Sequence, residues 1–234
     1  MAVFHYPKLV RYDDLVLFID PANPKCFKPG NNYCKNLVTG NYVTGANGSP
    51  GAGDHTPDPS NFPDYLDERS GIWDFGGVSG MNCEEDLGRH DEMSLHMWIL
   101  KPDGRTGLYL ADARNDGGQW FLSNYKSHNI NYNGRIHFNF GGSYQTTHPE
   151  FIGNWHCLTI TGDKSDSRLY WDGELLTVGN SINSNLGRNF RIGIRYTASD
   201  QWNGFMGPIM AFNRKLNDID VRHLTVAHSA RFQL

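Results

Sequence analysis

Hydrophobic and polar residues alternate with a period of two in several short segments of the chain, a pattern typical of β-strands with one buried face. Residues 15–20 form the first apolar run, and the prolines on either side of Asn23 then force an extended or turn geometry. In residues 93–100, Leu95, Met97 and Ile99 share one face. Further strands are predicted at residues 71–77, 108–111, 119–123, 135–140, 190–195 and 205–212.

One tight turn and one helix complete the predicted elements. Asp172–Gly173 stands between two apolar, aromatic-rich runs in residues 168–176, and this dipeptide favours a β-hairpin because glycine accepts a positive φ. Near the end of the chain, Asn217 is suited to cap a helix whose first turn is acidic. The acidic residues are Asp218 and Asp220, and the expected apolar stripe comprises Ile219, Val221 and Leu224.

Residues 28–70 are a long polar excursion, rich in Gly, Asn, Pro, Asp and Ser, in which few strands are expected. The chain has 26 glycines and 11 prolines, which suits many short strands better than long helices. It contains no internal repeat and no second compositional regime. Residues 1–234 are therefore predicted to form a single domain.

Composition narrows the classes of partner. The net charge is −4 and no basic run could neutralise a row of phosphates, so nucleic acid is not expected. No stretch approaches the roughly 18 apolar residues of a membrane span. The amino terminus lacks the pattern of a secretory signal, so a cytoplasmic protein is expected.

The four cysteines form no CxxC pair, and free thiols are favoured over a Cys26–Cys34 disulfide.

Two segments are specific enough to indicate a family. Residues 154–161 read Asn-Trp-His-Cys-Leu-Thr-Ile-Thr, and residues 169–175 read Leu-Tyr-Trp-Asp-Gly-Glu-Leu. This pair resembles the signature of laminin-G-like, concanavalin A-like domains. The resemblance implies an all-β, two-sheet antiparallel jelly-roll-like sandwich with one short C-terminal helix. It also implies that Trp155 is a core or inter-sheet plug and that Gly193 and Gly207 permit close packing.

The opening strand adds a biological setting. Residues 15–25, Leu-Val-Leu-Phe-Ile-Asp-Pro-Ala-Asn-Pro-Lys, are similar to the start of such domains in bacteriophage virion proteins. This resemblance implies a head-decoration, fibre or tail-associated module of a virion, assembled in the host cytoplasm. Its partners would be other virion proteins and copies of itself. The alternative is a lectin-like module that recognises cell-surface glycans, and a glycoside hydrolase ranks third.

A glycan site would need exposed aromatic rings beside Asp, Asn and backbone donors. Trp120 and Tyr125 lie in or beside loops of this kind, and we predict them as glycan-binding residues together with Asp112, Asn115 and Asp116. Tyr132 and Tyr144 have similar surroundings. The competing interpretation places these rings in the core or in cross-strand pairs.

No cofactor or metal site is predicted from the residues alone. The resemblance leaves calcium open, because many laminin-G and lectin domains hold it and residues 112–118 offer oxygen ligands in a turn. Asp and Asn are equally ordinary turn formers. Asp54, His55 and Asp58 are a weaker candidate for a transition metal.

No catalytic residues are predicted, and the protein is not expected to be an enzyme. Glycosidases with this sandwich use two carboxylates held a few ångström apart, whereas Glu84, Glu85 and Asp86 have a different spacing and sit among turn residues. His156 and Cys157 are neighbours in a predicted strand, so their side chains face opposite sides and cannot form a nucleophile–base pair.

Overall fold

The structure is a computed structural model that describes residues 12–46, 58–77, 79–88, 90–102, 109–112, 120–124, 135–140, 143–147, 152–180, 190–195 and 201–233. These residues form two antiparallel sheets and a C-terminal helix, which confirms the predicted sandwich. Short 3-10 turns lie at Tyr12–Asp14, Pro59–Asn61 and Glu68–Ser70. The longer elements are β1 (Leu15–Ile19), β2 (Tyr33–Lys35), β3 (Tyr42–Gly45), β4 (Asp64–Leu66), β5 (Ile72–Asp74), β6 (Met81–Cys83), β7 (Glu92–Leu100), β8 (Tyr109–Asp112), β9 (Trp120–Asn124), β10 (Arg135–Phe140), β11 (Ser143–Thr147), β12 (Trp155–Asp163), β13 (Asp166–Trp171), β14 (Glu174–Asn180), β15 (Arg191–Ile192), β16 (Phe205–Phe212) and α1 (Asp218–Phe232).

The strands divide between two sheets. The first sheet has the order β14-β13-β12-β7-β16-β5-β4, and β1 also pairs with β16. The second sheet has the order β11-β10-β9-β8-β15-β6-β3-β2. β7 and β12 form the centre of the first sheet, in a continuous register from Trp155 opposite Leu100 to Asp163 opposite Glu92.

The main hydrophobic core lies between the two sheets. Leu95, Met97 and Ile99 face it, as predicted, and pack with Leu158 and Ile160 of β12. The second sheet contributes Cys34, Val43, Met81, Cys83, Leu110, Ala111 and Ile192. All four cysteines of the chain are buried free thiols.

Helix α1 covers the outer face of the first sheet. The ring of Phe232 stacks on Trp98 with centroids 4.5 Å apart, and its centroid lies 4.6 Å from that of Trp155. Trp155 is thus a core residue, the first of the two roles expected for it, and it packs under the helix and not between the sheets. Because Leu158 and Ile160 point between the sheets, strand alternation directs Trp155 to the helix side.

The helix begins as predicted, but its buried face is rotated from the expected one. The Asn217 side chain accepts hydrogen bonds from the backbone N–H groups of Ile219 (2.9 Å) and Asp220 (3.0 Å). Val221 and Leu224 are buried, whereas Ile219 is 65% exposed and its place in the apolar stripe is wrong. The buried positions recur at 220–221, 224–225, 228 and 232, a spacing that leaves residue 219 on the solvent side. Within the described residues, no helix is long and apolar enough to cross a membrane.

The polar excursion holds more regular structure than expected. β2, β3 and β4 all lie within residues 28–70, and they extend the edges of both sheets. Each covers only three or four residues, so its alternation does not stand out among turn-forming neighbours. β6 and β11 are likewise strands that the pattern did not predict.

The hairpin predicted at Asp172–Gly173 is confirmed. β13 and β14 pair antiparallel, and both turn residues have positive φ values, 51° for Asp172 and 86° for Gly173. Gly207 occupies a close-packed position in β16, where a Cβ atom would lie 2.5 Å from the ring of Phe232. A side chain there would push the helix away from the sheet.

Candidate functional site

Strand alternation divides the hairpin of β2 and β3 into two faces. Cys34 pairs with Val43, and both are buried in the core between the sheets. Their neighbours along each strand point the opposite way. The outward residues, with Glu84 at the end of β6, form a surface that we call the edge platform: Tyr33, Lys35, Tyr42, Thr44 and Glu84.

The edge platform presents an aromatic ring to solvent. Tyr42 is 47% exposed, and its ring meets that of Tyr33 edge to face, with centroids 5.0 Å apart and planes at 88°. The Nζ atom of Lys35 lies 5.4 Å from the centroid of the Tyr42 ring, within the range of a cation–π contact. The hydroxyl of Thr44 donates to Oε1 of Glu84 at 3.0 Å. An ammonium therefore lies beside the ring, and a hydroxyl and a carboxylate lie on the same face of the sheet.

The connection between β2 and β3 is anchored to the rest of the sandwich. The buried Asn36 accepts a hydrogen bond from the backbone N–H of Phe18 in β1 at 3.0 Å. Its Nδ2 donates to Oε1 of Glu85 at 2.5 Å, while Oε2 of Glu85 accepts from Nδ2 of Asn41 at 2.7 Å. These contacts tie the hairpin to β1 and to the segment after β6, and so hold Tyr42 in place.

A row of buried polar residues continues the same face across the second sheet. Asn82 pairs with Thr44 on one side and with Arg191 on the other. Arg191 in turn pairs with Asp112. Directly paired residues share a face of the sheet, and Asn82, Arg191 and Asp112 are all buried. We call these three residues the polar row.

The members of the polar row differ in whether their polar atoms have partners. Burial lowers the pKa of the Arg191 guanidinium, and the Asp112 carboxylate opposes this shift. Arg191 also donates to the backbone carbonyl of Arg195 at 3.3 Å. The Oδ1 atom of Asn82, by contrast, is buried and has no hydrogen-bond partner within the described structure. Such an orphaned acceptor is where a ligand or water can supply the missing donor.

Of the predicted glycan-binding residues, Asp112 and Trp120 lie in described strands. Asp112 ends β8 in the polar row and is only 1% exposed, so its carboxylate has no direct access to solvent. Trp120 begins β9. Tyr125, Asn115 and Asp116 lie outside the described residues, as does Tyr132, whereas Tyr144 lies in β11. Glycan binding by this group stays a prediction.

The acidic residues after β6 hold the fold together. Glu84 accepts from Thr44, and Glu85 accepts from Thr39 at 3.0 Å in addition to the two asparagines. Asp86 accepts from the backbone N–H of Gly88 at 2.9 Å. This set is a hydrogen-bonded turn, in line with the structural role favoured by its spacing.

His156 and Cys157 face opposite sides of β12, as predicted. Nδ1 of His156 pairs with Oδ2 of Asp172 at 2.8 Å, while the sulfur of Cys157 lies 3.4 Å from the hydroxyl of Thr225 in α1. Burial raises the pKa of the Cys157 thiol to about 12. A thiol that stays protonated in a closed interior is a packing residue.

Metal ligands are not grouped in the part of the chain that the structure describes. No set of three or more His, Cys, Asp and Glu residues there is arranged to hold an ion. Asp58 caps the Pro59–Asn61 turn by accepting from the backbone N–H of Ser60 at 3.0 Å. Asp54, His55 and residues 113–118 lie outside the described residues, so calcium in that loop stays an untested prediction.

The edge platform was missed by sequence reasoning. The available signal was the alternation in residues 33–35 and 42–44, where an aromatic, β-branched or long polar residue flanks a small apolar one. Both stretches lie in the polar excursion, where turn residues hide so short a pattern.

Comparison with known families decides the broader identity. The family described as the concanavalin A-like lectin/glucanases superfamily matches residues 75–222, which is more than half of the chain. The chain belongs to this superfamily. A search of curated proteins finds none that matches it.

Solved structures share the fold of this superfamily member. Domain 4 of AbnA, a GH43 extracellular arabinanase from Geobacillus stearothermophilus solved with arabinotriose, has a TM-score of 0.64 at 15% identity, covering 91% of this chain and 98% of that one. The receptor binding domain of botulinum neurotoxin C/D mosaic serotype has a TM-score of 0.64 at 11% identity, covering 92% and 52%. Trypanosoma rangeli sialidase in complex with sialic acid has a TM-score of 0.61 at 14% identity, covering 97% and 34%. The superfamily member thus spans about half of the toxin domain and a third of the sialidase, and the likeness is one of fold.

Proposed function

We propose that this superfamily member is a non-enzymatic carbohydrate-binding module whose glycan site is the edge platform. The observation that carries the proposal is the exposed Tyr42 ring, braced by Tyr33 and bordered by polar groups. The family description names lectins and glucanases, which supports a carbohydrate as the ligand class. The arabinanase domain with arabinotriose and the sialidase with sialic acid support the same class.

The chemistry of the platform matches that of a sugar ring. A pyranose has faces made of C–H groups and a rim of hydroxyls, so it pairs with a surface that combines an aromatic ring and polar groups. Contact with Tyr42 removes apolar area of both partners from water. Lys35 offers donors and Glu84 an acceptor to the rim hydroxyls. Because strand pairing already holds these residues, little conformational entropy is lost on binding.

The hydrogen bonding of the acids beside the platform supports binding without turnover. Glycoside hydrolysis usually needs a proton donor and a second carboxylate on opposite sides of the scissile bond. Glu85 is committed to the connection between β2 and β3 through hydrogen bonds at both oxygens. Glu84 is then left without a second carboxylate to act with, and its role would be to hydrogen-bond to the glycan.

The setting of the module is a separate part of the proposal. The similarity of residues 15–25 to phage virion domains favours display on a virion, where many copies would make weak glycan contacts effective. Mass spectrometry of purified particles tests this setting. The protein should be enriched with the particles, and its absence from them would exclude a virion role while leaving glycan binding untouched.

A glycan array with the purified chain tests the binding function. The wild-type chain is expected to bind a subset of glycans, and Tyr42→Ala to weaken that binding about tenfold or more, since truncating an aromatic anchor commonly costs about 2 kcal/mol. Val226→Ala, which truncates another exposed side chain on the far side of the sandwich, is the matched control and should bind normally. Full binding by Tyr42→Ala would place the site elsewhere, and failure of the wild-type chain to bind any glycan would overturn the function.

A further inference from the structure

A cavity of about 700 Å³ lies beside the C-terminal half of α1, and none of the residues that line it belongs to the edge platform. Its walls come from the turn after β1, from the Glu68–Ser70 turn and from the helix. A volume of roughly 300–1,000 Å³ is usual for a small-molecule site. The residues that give this cavity its chemistry are Asp20, Arg69, Ala227, His228, Ala230 and Arg231.

The backbone at the cavity wall is strained. Arg69 (φ 51°) and Ser70 (φ 64°) both adopt the left-handed conformation, and Gly71 follows at φ 121°. Arg231 holds this turn, since Nε donates to the carbonyl of Arg69 at 2.5 Å and Nη2 donates to the carbonyl of Gly71. Strain of this kind, held in place by its surroundings, concentrates at ligand sites.

The two arginines of the cavity differ in whether their charge is paired. Nη1 of Arg231 pairs with Oδ1 of Asp20 at 2.8 Å, so these charges offset each other. The guanidinium of Arg69 has no hydrogen-bond or ion-pair partner among the described residues. Burial lowers the pKa of His228, although Asp20 acts against it, and the imidazole is therefore neutral at neutral pH. One uncompensated positive charge thus lines a wall that also contains the methyl groups of Ala227 and Ala230.

We infer that this cavity is a second ligand site, which binds a monoanionic sugar acid through its carboxylate. A guanidinium presents parallel N–H donors that fit a carboxylate. Inorganic phosphate fits less well, because it lacks the carbon skeleton that could contact the methyl groups of Ala227 and Ala230. The sugar part of this inference rests on the proposed function, whereas the anionic part rests on the cavity alone.

Calorimetric titration of the full chain with glucuronate, glucose and inorganic phosphate tests the inference. Glucuronate and glucose differ only at C6, which is a carboxylate in glucuronate and a hydroxymethyl group in glucose. Glucuronate should therefore bind about tenfold or more tightly than glucose, as a hydrogen-bonded ion pair requires. Phosphate should also bind more weakly than glucuronate. Arg69→Gln should lower glucuronate affinity by a similar factor, whereas Lys28→Gln, which removes an exposed cation outside the cavity, should not. Absent glucuronate binding, equal binding of glucose or phosphate, or an unaffected Arg69→Gln variant would overturn the inference.

Two further measurements separate this site from folding defects and from the edge platform. In wild-type protein, the methyl NMR signals of Ala227 and Ala230 should shift as glucuronate is added, and unshifted signals would exclude the cavity. Tyr42→Ala should retain glucuronate binding, and its loss would place the sugar acid on the platform. If no neutral glycan binds but glucuronate still does, only the proposed function fails.

Discussion

The outer faces of the two sheets differ in what lies over them. On the first sheet, β7 and β12 are buried along nearly their whole length, because α1 covers the face that the core does not. On the second sheet, β2 and β3 alternate between buried and accessible residues. Aromatic residues under the helix, such as Trp98 and Phe232, therefore build the fold, whereas Tyr42 at the uncovered edge is free to meet a ligand. Whether an aromatic ring stabilises the fold or can bind a ligand therefore depends on what covers it.

Truncating an aromatic residue under the helix should give the largest effect on stability. Phe232 is buried against Trp98 and Trp155, so Phe232→Ala is expected to lower the free energy of unfolding by about 3–5 kcal/mol. Urea denaturation measures this loss. Val226→Ala on the same helix is the control, since its side chain is 69% exposed and the change should stay within about 0.5 kcal/mol. Similar losses in the two variants would mean that α1 does not dock on the first sheet as described.

Lowering the pH should give the second largest loss of stability, through a residue that lies between the first sheet and α1. His96 is fully buried beneath α1, where Nδ1 contacts the hydroxyl of Thr159 at 2.9 Å, and burial lowers its pKa from 6.5 to about 3. Between these two values the unfolded chain binds a proton that the folded chain does not, so stability falls as the pH drops below 6.5. At pH 5 the expected loss from this residue is about 2 kcal/mol.

Denaturation at pH 7 and pH 5 checks the acid effect. His96→Gln lacks the titrating group, so its loss between the two pH values should be smaller than that of the wild-type chain by about 2 kcal/mol. His228 is shifted in the same direction by burial and accounts for part of the remainder. Equal losses in wild type and His96→Gln would show that His96 is not held neutral in the folded state.

The parts of the fold that could be predicted from sequence are those specified locally. Leu95, Met97 and Ile99 show their inward face by alternation, and Asp172–Gly173 specifies its own turn. The other face of β7 carries no such signal. His96 looks like an outward polar residue until a helix more than a hundred positions away covers it.

The candidate site was harder to predict for the same reason. Tyr33 and Tyr42 meet because two strands of three and four residues pair at a sheet edge, and so short a pattern does not stand out among turn residues. The polar row joins Asn82, Arg191 and Asp112 from three strands through long-range register. Asp112 was selected from its local turn composition, which carried no information about its burial or its neighbours.

The smallest expected effect on stability concerns two buried oxygen atoms that have no hydrogen-bond partner. Comparing them separates an atom that serves ligand binding from one that only fills space. Oδ1 of Asn82 is buried without a partner on the second sheet, and the hydroxyl of Ser167 is in the same condition on the first. Removing an unpaired oxygen gives up no hydrogen bond, so Asn82→Ala and Ser167→Ala should each change the free energy of unfolding by less than about 1 kcal/mol. Only Asn82 shares a face with the edge platform, through its pairing with Thr44. Asn82→Ala should therefore weaken glycan binding by about twofold to tenfold, the worth of one neutral hydrogen bond relayed through a bridging water, while Ser167→Ala leaves it unchanged. Calorimetry with a glycan selected on the array measures both affinities, and equal affinities for Asn82→Ala and the wild-type chain would confine the site to Tyr42, Tyr33 and their polar neighbours.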